Sequence, residues 1–177
     1  LGDSKFILES YYLITIIFRE VFLPLILFYV LVLPFFSNLG FVKKIFFNYS
    51  FSYKEILYIW STFFINVVIV INLILKTLWG RSRPGDIMYE EGDGVFSPWY
   101  VIGDTCLSNC SFVSGDSAVG FSIIVLFLIT KNIKYIYLSL FSGCVLGIVR
   151  IFEGGHFLSD VIFSGIIVYL LSLFLKK

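Results

Sequence analysis

The chain of 177 residues is 59% hydrophobic and 20% aromatic, with 14% charged residues and a formal net charge of +1. Such a composition lies far outside that of soluble domains and reads as an integral membrane protein. The balanced charge gives nucleic acid no purchase as a partner, so the information lies in where the charges fall.

Residues 1–19 mix charged with apolar and aromatic side chains, and are expected to lie as a helix in the membrane interface. Residues 21–42 form an apolar run of about the ~20 residues a span needs, closed by Lys43 and Lys44. Pro24 and Pro34 are tolerable inside a membrane helix. An aromatic connector over 45–55 leads to a second span at 56–79. The longest polar stretch, 80–113, is rich in glycine and turn residues and reads as a loop. Three more apolar runs at 114–130, 135–152 and 157–175 complete an all-α, polytopic bundle of five spans forming one domain over 1–177.

Orientation follows from lysine and arginine in short loops. If five spans alternate, Lys43, Lys44, Lys54, Lys131, Lys134, Lys176 and Lys177 share one face, which is then cytoplasmic. The 80–113 loop opens on the other face; from Gly85 onward it holds Asp86, Glu90, Glu91, Asp93 and Asp104 and no lysine or arginine. The same alternation puts residue 1 outside, which implies a further span before Leu1 and a six-helix parent. Cys106 and Cys110 fall in the outer loop, where an oxidising compartment permits a short disulfide. Zinc is the rival reading, but no second cysteine pair or nearby histidine completes a set. Cys144, in mid-span, is expected to be a small buried packing residue.

The only histidine, His156, sits in Arg150-Ile-Phe-Glu-Gly-Gly-His156-Phe-Leu-Ser-Asp160. The spacing R-x5-H-x3-D puts Asp160 one turn beyond His156 on a helix starting near Gly155, where a carboxylate can fix the imidazole tautomer and free the other nitrogen to attack. Upstream lie Lys76-Thr-Leu-Trp-Gly-Arg-Ser-Arg83-Pro84 and Ser114-Gly115-Asp116. Arginine's planar fork grips two phosphate oxygens, lysine adds a point charge, and Pro84 stiffens the turn that aims Arg83. Ser114 and Gly115 open a helix, where free N–H groups welcome an anion and a serine or aspartate serves equally as an ordinary N-cap. Asn72, one turn before Lys76, is placed either to hold its ammonium or to hydrogen-bond another helix. Arg81 is either an auxiliary phosphate or head-group contact or an interface marker. Phe96, Trp99 and Tyr100 suit an aromatic belt or a substrate contact.

The ordered set K-x6-R-P, S-G at a helix start, and R-x5-H-x3-D over residues 76–160 resembles the type 2 phosphatidic acid phosphatase superfamily. Asn109-Cys-Ser-Phe-Val-Ser-Gly-Asp116-Ser-Ala-Val-Gly-Phe121 and Gly154-Gly-His-Phe-Leu-Ser-Asp160-Val look most like its bacterial lipid A 4′-phosphatases. The resemblance implies a metal-independent phosphomonoesterase without cofactor, acting on a membrane lipid at the periplasmic face of the inner membrane. His156 would form a phosphohistidine, Asp160 orient it, and Lys76, Arg83, Arg150 and the amides near Ser114 and Gly115 hold the phosphoryl group. Val113 and Asp116 stand where the superfamily usually has proline and the histidine that protonates the leaving group, and Val149 replaces a serine before Arg150. Asp116 is the residue that would then take the acid's place. Polyprenyl pyrophosphate or phosphatidylglycerol phosphate phosphatases would share every motif, and a silent phospholipid-binding or transport protein would keep the cationic pocket.

Overall fold

The computed structural model describes residues 13, 15–88 and 94–176, and all regular structure among them is helical. Helix α1 is Ile17–Phe36, α3 Tyr53–Leu78, α5 Gly115–Thr130, α6 Lys134–Phe152 and α7 Leu158–Leu175. A short α2 covers residues 40–47, and α4, Pro84–Met88, lies in the outer loop. Four of these, α1, α3, α6 and α7, are long and apolar enough to cross a membrane. The chain is thus a polytopic helical membrane protein.

The first span is displaced from the expected 21–42. It ends at Phe36 because Pro34 closes its last turn and Leu39 turns to extended backbone. Ser37 is drawn instead to the connector, its Oγ accepting from the Phe51 amide at 2.9 Å. Lys43 and Lys44 consequently ride on the separate α2 rather than ending the span. The expected interfacial segment lies mostly outside the described residues, and Ile17 to Arg19 belong to α1. The third expected span forms α5, which is shorter than the other four and is broken at Ser122 and Ile123.

Helix starts follow local capping chemistry. Ser52 and Glu55 form a reciprocal box at the head of α3, Ser114 Oγ accepts from Ser117 N at 3.4 Å to start α5, and Asp160 accepts from Phe157 N at 2.9 Å to start α7. The core is tightest where α5 meets α6 and α7, because small residues let the backbones approach. A Cβ on Gly120 would sit 2.6 Å from the Gly143 nitrogen, and one on Gly147 2.4 Å from Val161. Ser142 and Ser139 donate across that seam to the carbonyls of Gly120 (2.9 Å) and Phe121 (2.8 Å). On the far side Asn66 donates to Ser172 Oγ at 3.0 Å, joining α3 to α7.

Lys134 reaches the Phe46 carbonyl at 3.1 Å and Lys176 the carbonyl of Leu128, which gathers loop lysines at one end of the bundle. Lys76, Arg83, Ser114, Arg150 and His156 gather at the other. Cys144 does not pack in the core: it is a free, exposed thiol on the outer face of α6. The α6 residues buried against α5 are its neighbours Ser142, Gly143, Leu146 and Gly147, which leaves position 144 facing outward.

Candidate active site

His156 lies in the turn between α6 and α7 and is 1% exposed. Its Nδ1 is 2.6 Å from the Ser111 carbonyl, and because a carbonyl can only accept, Nδ1 carries the proton. Nε2 therefore keeps its lone pair. Burial pushes the imidazole below its ordinary value, Asp160 draws it back up, and Lys76 and Arg150 lower it further. The net direction is down, so the ring is neutral at neutral pH.

The expectation that Asp160 orients His156 directly is corrected. The carboxylate stands 3.8 Å from Nδ1, beyond a hydrogen bond, because it is committed elsewhere. Its partners are Arg81 Nη1 at 2.5 Å, Ser111 Oγ at 2.5 Å and Phe157 N at 2.9 Å. Asp160 thus holds the residue that holds His156. Arg81, the candidate auxiliary phosphate or head-group contact, is likewise committed to partners within the protein. It is 3% exposed, and besides Asp160 it donates to Ser159 Oγ at 2.8 Å and the Ser97 carbonyl at 2.9 Å, with its guanidinium 4.1 Å from the Phe157 ring centre.

Lys76 ends α3 almost fully buried, and no acceptor among the described residues hydrogen-bonds its ammonium. It lies beside the start of α5, since a Cβ on Gly115 would meet Asn72 Oδ1 at 2.8 Å and Lys76 Nζ at 3.4 Å. It shares its field with Asp116, Arg83, Arg150 and Arg19. Asn72 spends its amide on the Val67 carbonyl at 2.7 Å. Arg83 is held through Nε (3.2 Å) and Nη2 (2.7 Å) by the carbonyl of Asn109. Arg150 lies against Gly155, pairs with Glu153, and places Nε 3.3 Å from Asp116 Oδ2 without hydrogen-bond alignment, so that this buried donor is unsatisfied. Arg19, from α1, reaches the same Asp116 oxygen at 3.8 Å.

Ser114 is N-cap of α5 and its own N–H is taken by the Asp160 carbonyl at 3.2 Å, so it offers no amide to an anion. The first-turn amides of Gly115 and Asp116 have no intrahelical partner and remain as donors. Cys106 and Cys110 form a disulfide with Cα atoms 5.7 Å apart. Of the loop aromatics, Trp99 packs on Phe163 (4.3 Å) and Phe96 on Phe157 (5.6 Å), covering the Arg81 side of the site, and Tyr100 is exposed. Among the described residues no cluster of three or more His, Cys, Asp or Glu could hold a metal ion.

Sequence reasoning missed Arg19, Ser111, Asn109 and Glu153. Arg19 falls, next to Glu20, in the stretch read as interfacial, where a charge carries no penalty and so gives no signal. Asn109 and Ser111 act through main-chain carbonyls, which leave no mark on residue type.

The PAP2 superfamily matches residues 55–177. A lipid A 4′-phosphatase of Francisella tularensis subsp. novicida (strain U112) is 37% identical over 149 residues, 82% of this chain and 66% of that protein. Lipid A 4′-phosphatases of Rhizobium leguminosarum and Rhizobium etli are 32% and 34% identical over 58% and 55% of this chain, and 45% and 39% of their own lengths. The chain thus spans less than two thirds of the length of these curated relatives, from 39% to 66%. No solved structure gives a significant match. A match that runs from Glu55 at the head of α3 to the end of α7, across every segment carrying Lys76, Arg83, Ser114, Arg150 and His156, makes this chain a member of the PAP2 superfamily.

Proposed function

We propose that the chain is a lipid phosphomonoesterase that removes the 4′-phosphate of lipid A through a phosphohistidine. The observation that carries the reading is Arg150 Nε, a buried donor without an aligned acceptor beside Asp116, set with the Lys76 ammonium at the start of α5 and an imidazole whose Nε2 is unprotonated. An oxyanion would satisfy both donors. Arg83 and the amides of Gly115 and Asp116 complete the cradle, supplying the positive charge that a loose phosphoryl transition state needs. The relatives' names favour lipid A among the lipid phosphates.

In the proposed cycle, phosphate takes over Arg150 and Arg19 from Asp116, and that carboxyl group serves as the proton donor to the leaving oxygen. The lone pair of His156 Nε2 attacks phosphorus, the bond to the sugar oxygen breaks, and the Asp116 proton passes to that oxygen. Water then attacks the phosphorus, returns a proton to Asp116, and breaks the P–N bond to free His156 and inorganic phosphate. The loop lysines at the opposite end of the bundle support a site opening away from the cytoplasm, at the periplasmic face of a bacterial inner membrane.

Changing His156 to Ala tests the reading. Phosphate release from lipid A, followed by mass spectrometry of the lipid, is expected to fall by at least about 10³-fold, the scale seen when a nucleophile is removed. Full turnover by His156→Ala would refute the nucleophile, and a wild-type chain that leaves lipid A intact but dephosphorylates another lipid phosphate would refute the substrate.

A further inference from the structure

We propose that the Cys106–Cys110 disulfide is a positioning device of the catalytic site, closing the loop whose main-chain carbonyls hold both Arg83 and His156. The proposal rests on the phosphatase reading above and goes beyond it, by naming what sets the geometry of the nucleophile.

The path of six residues, 106–111, carries it. Cys106 N donates to the Gly80 carbonyl at 3.3 Å, Cys110 N to Lys76 at 3.0 Å and Ser111 N to Arg81 at 2.8 Å, so the loop is zipped along the segment that carries Lys76 and Arg83. Within the ring Asn109 has a left-handed backbone, φ 50°, and its carbonyl receives both Nε and Nη2 of Arg83. One residue past the ring, the Ser111 carbonyl receives His156 Nδ1 at 2.6 Å, and its hydroxyl donates to Asp160 at 2.5 Å. Cys110 and Ser111 are both wholly buried.

Nothing else in this stretch is regular. From Gly94 to Ser114 the chain contains no helix or strand, and Val101, Ile102 and Leu107 stand exposed. Side-chain packing therefore gives little help in fixing Asn109, and the bridge supplies the covalent constraint. The two carbonyls serve groups that must be held to within a fraction of an ångström, and a misplacement of about 1 Å costs on the order of 10²-fold in rate. The device suits an oxidising compartment and works only there.

The test uses the purified chain in detergent micelles, with lipid A as substrate and inorganic phosphate as inhibitor. The oxidised protein is compared with protein reduced by dithiothreitol, which gives two electrons and two protons to the bridge and closes to its own cyclic disulfide, and with Cys106→Ser/Cys110→Ser. Turnover is expected to fall about 10- to 100-fold in both. The inhibition constant for phosphate should rise about tenfold, the scale of one lost charge-assisted contact at Arg83. The melting temperature should fall by less than about 10 °C, and reoxidation should restore the rate.

Equal turnover in oxidised and reduced protein overturns the proposal and leaves the phosphatase reading intact. Loss of turnover together with collapse of the melting transition also overturns it, since the bridge would then hold the fold rather than the site. If the oxidised chain releases phosphate from no lipid phosphomonoester, the phosphatase reading itself fails and the positioning role goes with it.

Discussion

Replacing Arg81 by Ala isolates the part of the site hidden from substrate. The side chain is 3% exposed and its partner Asp160 is not exposed at all, so the substitution leaves a buried carboxylate without its cation. Removing one partner of a buried pair costs about 3 to 5 kcal/mol. Asp160 retains Ser111 Oγ at 2.5 Å and Phe157 N at 2.9 Å, and these two donors put the cost near the lower end, about 3 kcal/mol. For a chain of this size that is a fall in Tm of roughly 6 to 12 °C. Adding Asp160→Asn to Arg81→Ala should recover part of the loss, because the carboxamide keeps an acceptor oxygen for both donors and carries no charge. Thermal denaturation of Arg81→Ala, Asp160→Asn and the double variant in micelles measures this. A drop of under about 1 kcal/mol for Arg81→Ala, the scale of an exposed pair, would refute the buried-pair account. So would an Asp160→Asn that only adds its own loss. Turnover should fall in the two variants that carry Asp160→Asn, because Ser111 there loses the carboxylate that registers its carbonyl on His156.

Other expectations follow from the same geometry. Because burial holds His156 below its ordinary value of about 6.5, the nucleophile stays neutral down to a pH below that value and activity is lost as pH falls through the lowered one. The unfolded chain takes up the proton first, so stability also declines as pH drops under about 6.5. A pH profile of kcat/KM with its acid midpoint above 6.5 would contradict this. Asp116→Asn should cost about 10²- to 10⁴-fold on lipid A, where the leaving sugar oxygen needs a proton, and far less on para-nitrophenyl phosphate, whose leaving group does not. Equal losses on the two substrates would remove Asp116 from the acid role. Arg19→Gln should raise KM for lipid A by about tenfold with kcat little changed. An unchanged KM would show that Arg19 only neutralises Asp116.

The segments that carry the site were legible in the sequence; their mutual commitments were not. Lys76, Arg83, Ser114, Arg150 and His156 announced themselves because charged or catalytic residue types at membrane helix ends are costly without a purpose. Helix type followed from apolar run length, while boundaries slipped where Pro34 and Ser37 end α1 early and α2 takes the two lysines. Asp160 was misjudged for a specific reason. The i, i+4 spacing puts it on the face of His156, but spacing ignores competitors, and Arg81, 79 residues away in sequence, outbids the imidazole. Cys144 was misjudged because hydropathy does not say which face of α6 a mid-span residue occupies.

Charge pairing orders how the proposed reaction must begin. Arg81 is neutralised by Asp160, and Arg150 is shared between Asp116 and Glu153, so neither is free to meet an incoming phosphate. Arg83 is tied only to a neutral carbonyl, and Lys76 to no acceptor among the described residues. In the proposed reaction an oxyanion therefore binds first where no carboxylate makes a direct ion pair among the described residues, between Lys76, Arg83 and the first turn of α5. Only from there can it compete with the Asp116 carboxylate for Arg150, whose Nε already lacks an aligned acceptor. In that proposed sequence each cation surrendered to phosphate removes a counter-ion from Asp116 while it tightens the transition-state cradle. Under the proposed reaction Asp116 takes the place of a second histidine. In this chain an aspartate stands there, paired with two arginines, one of them from a helix that lies outside the residues matched to the superfamily.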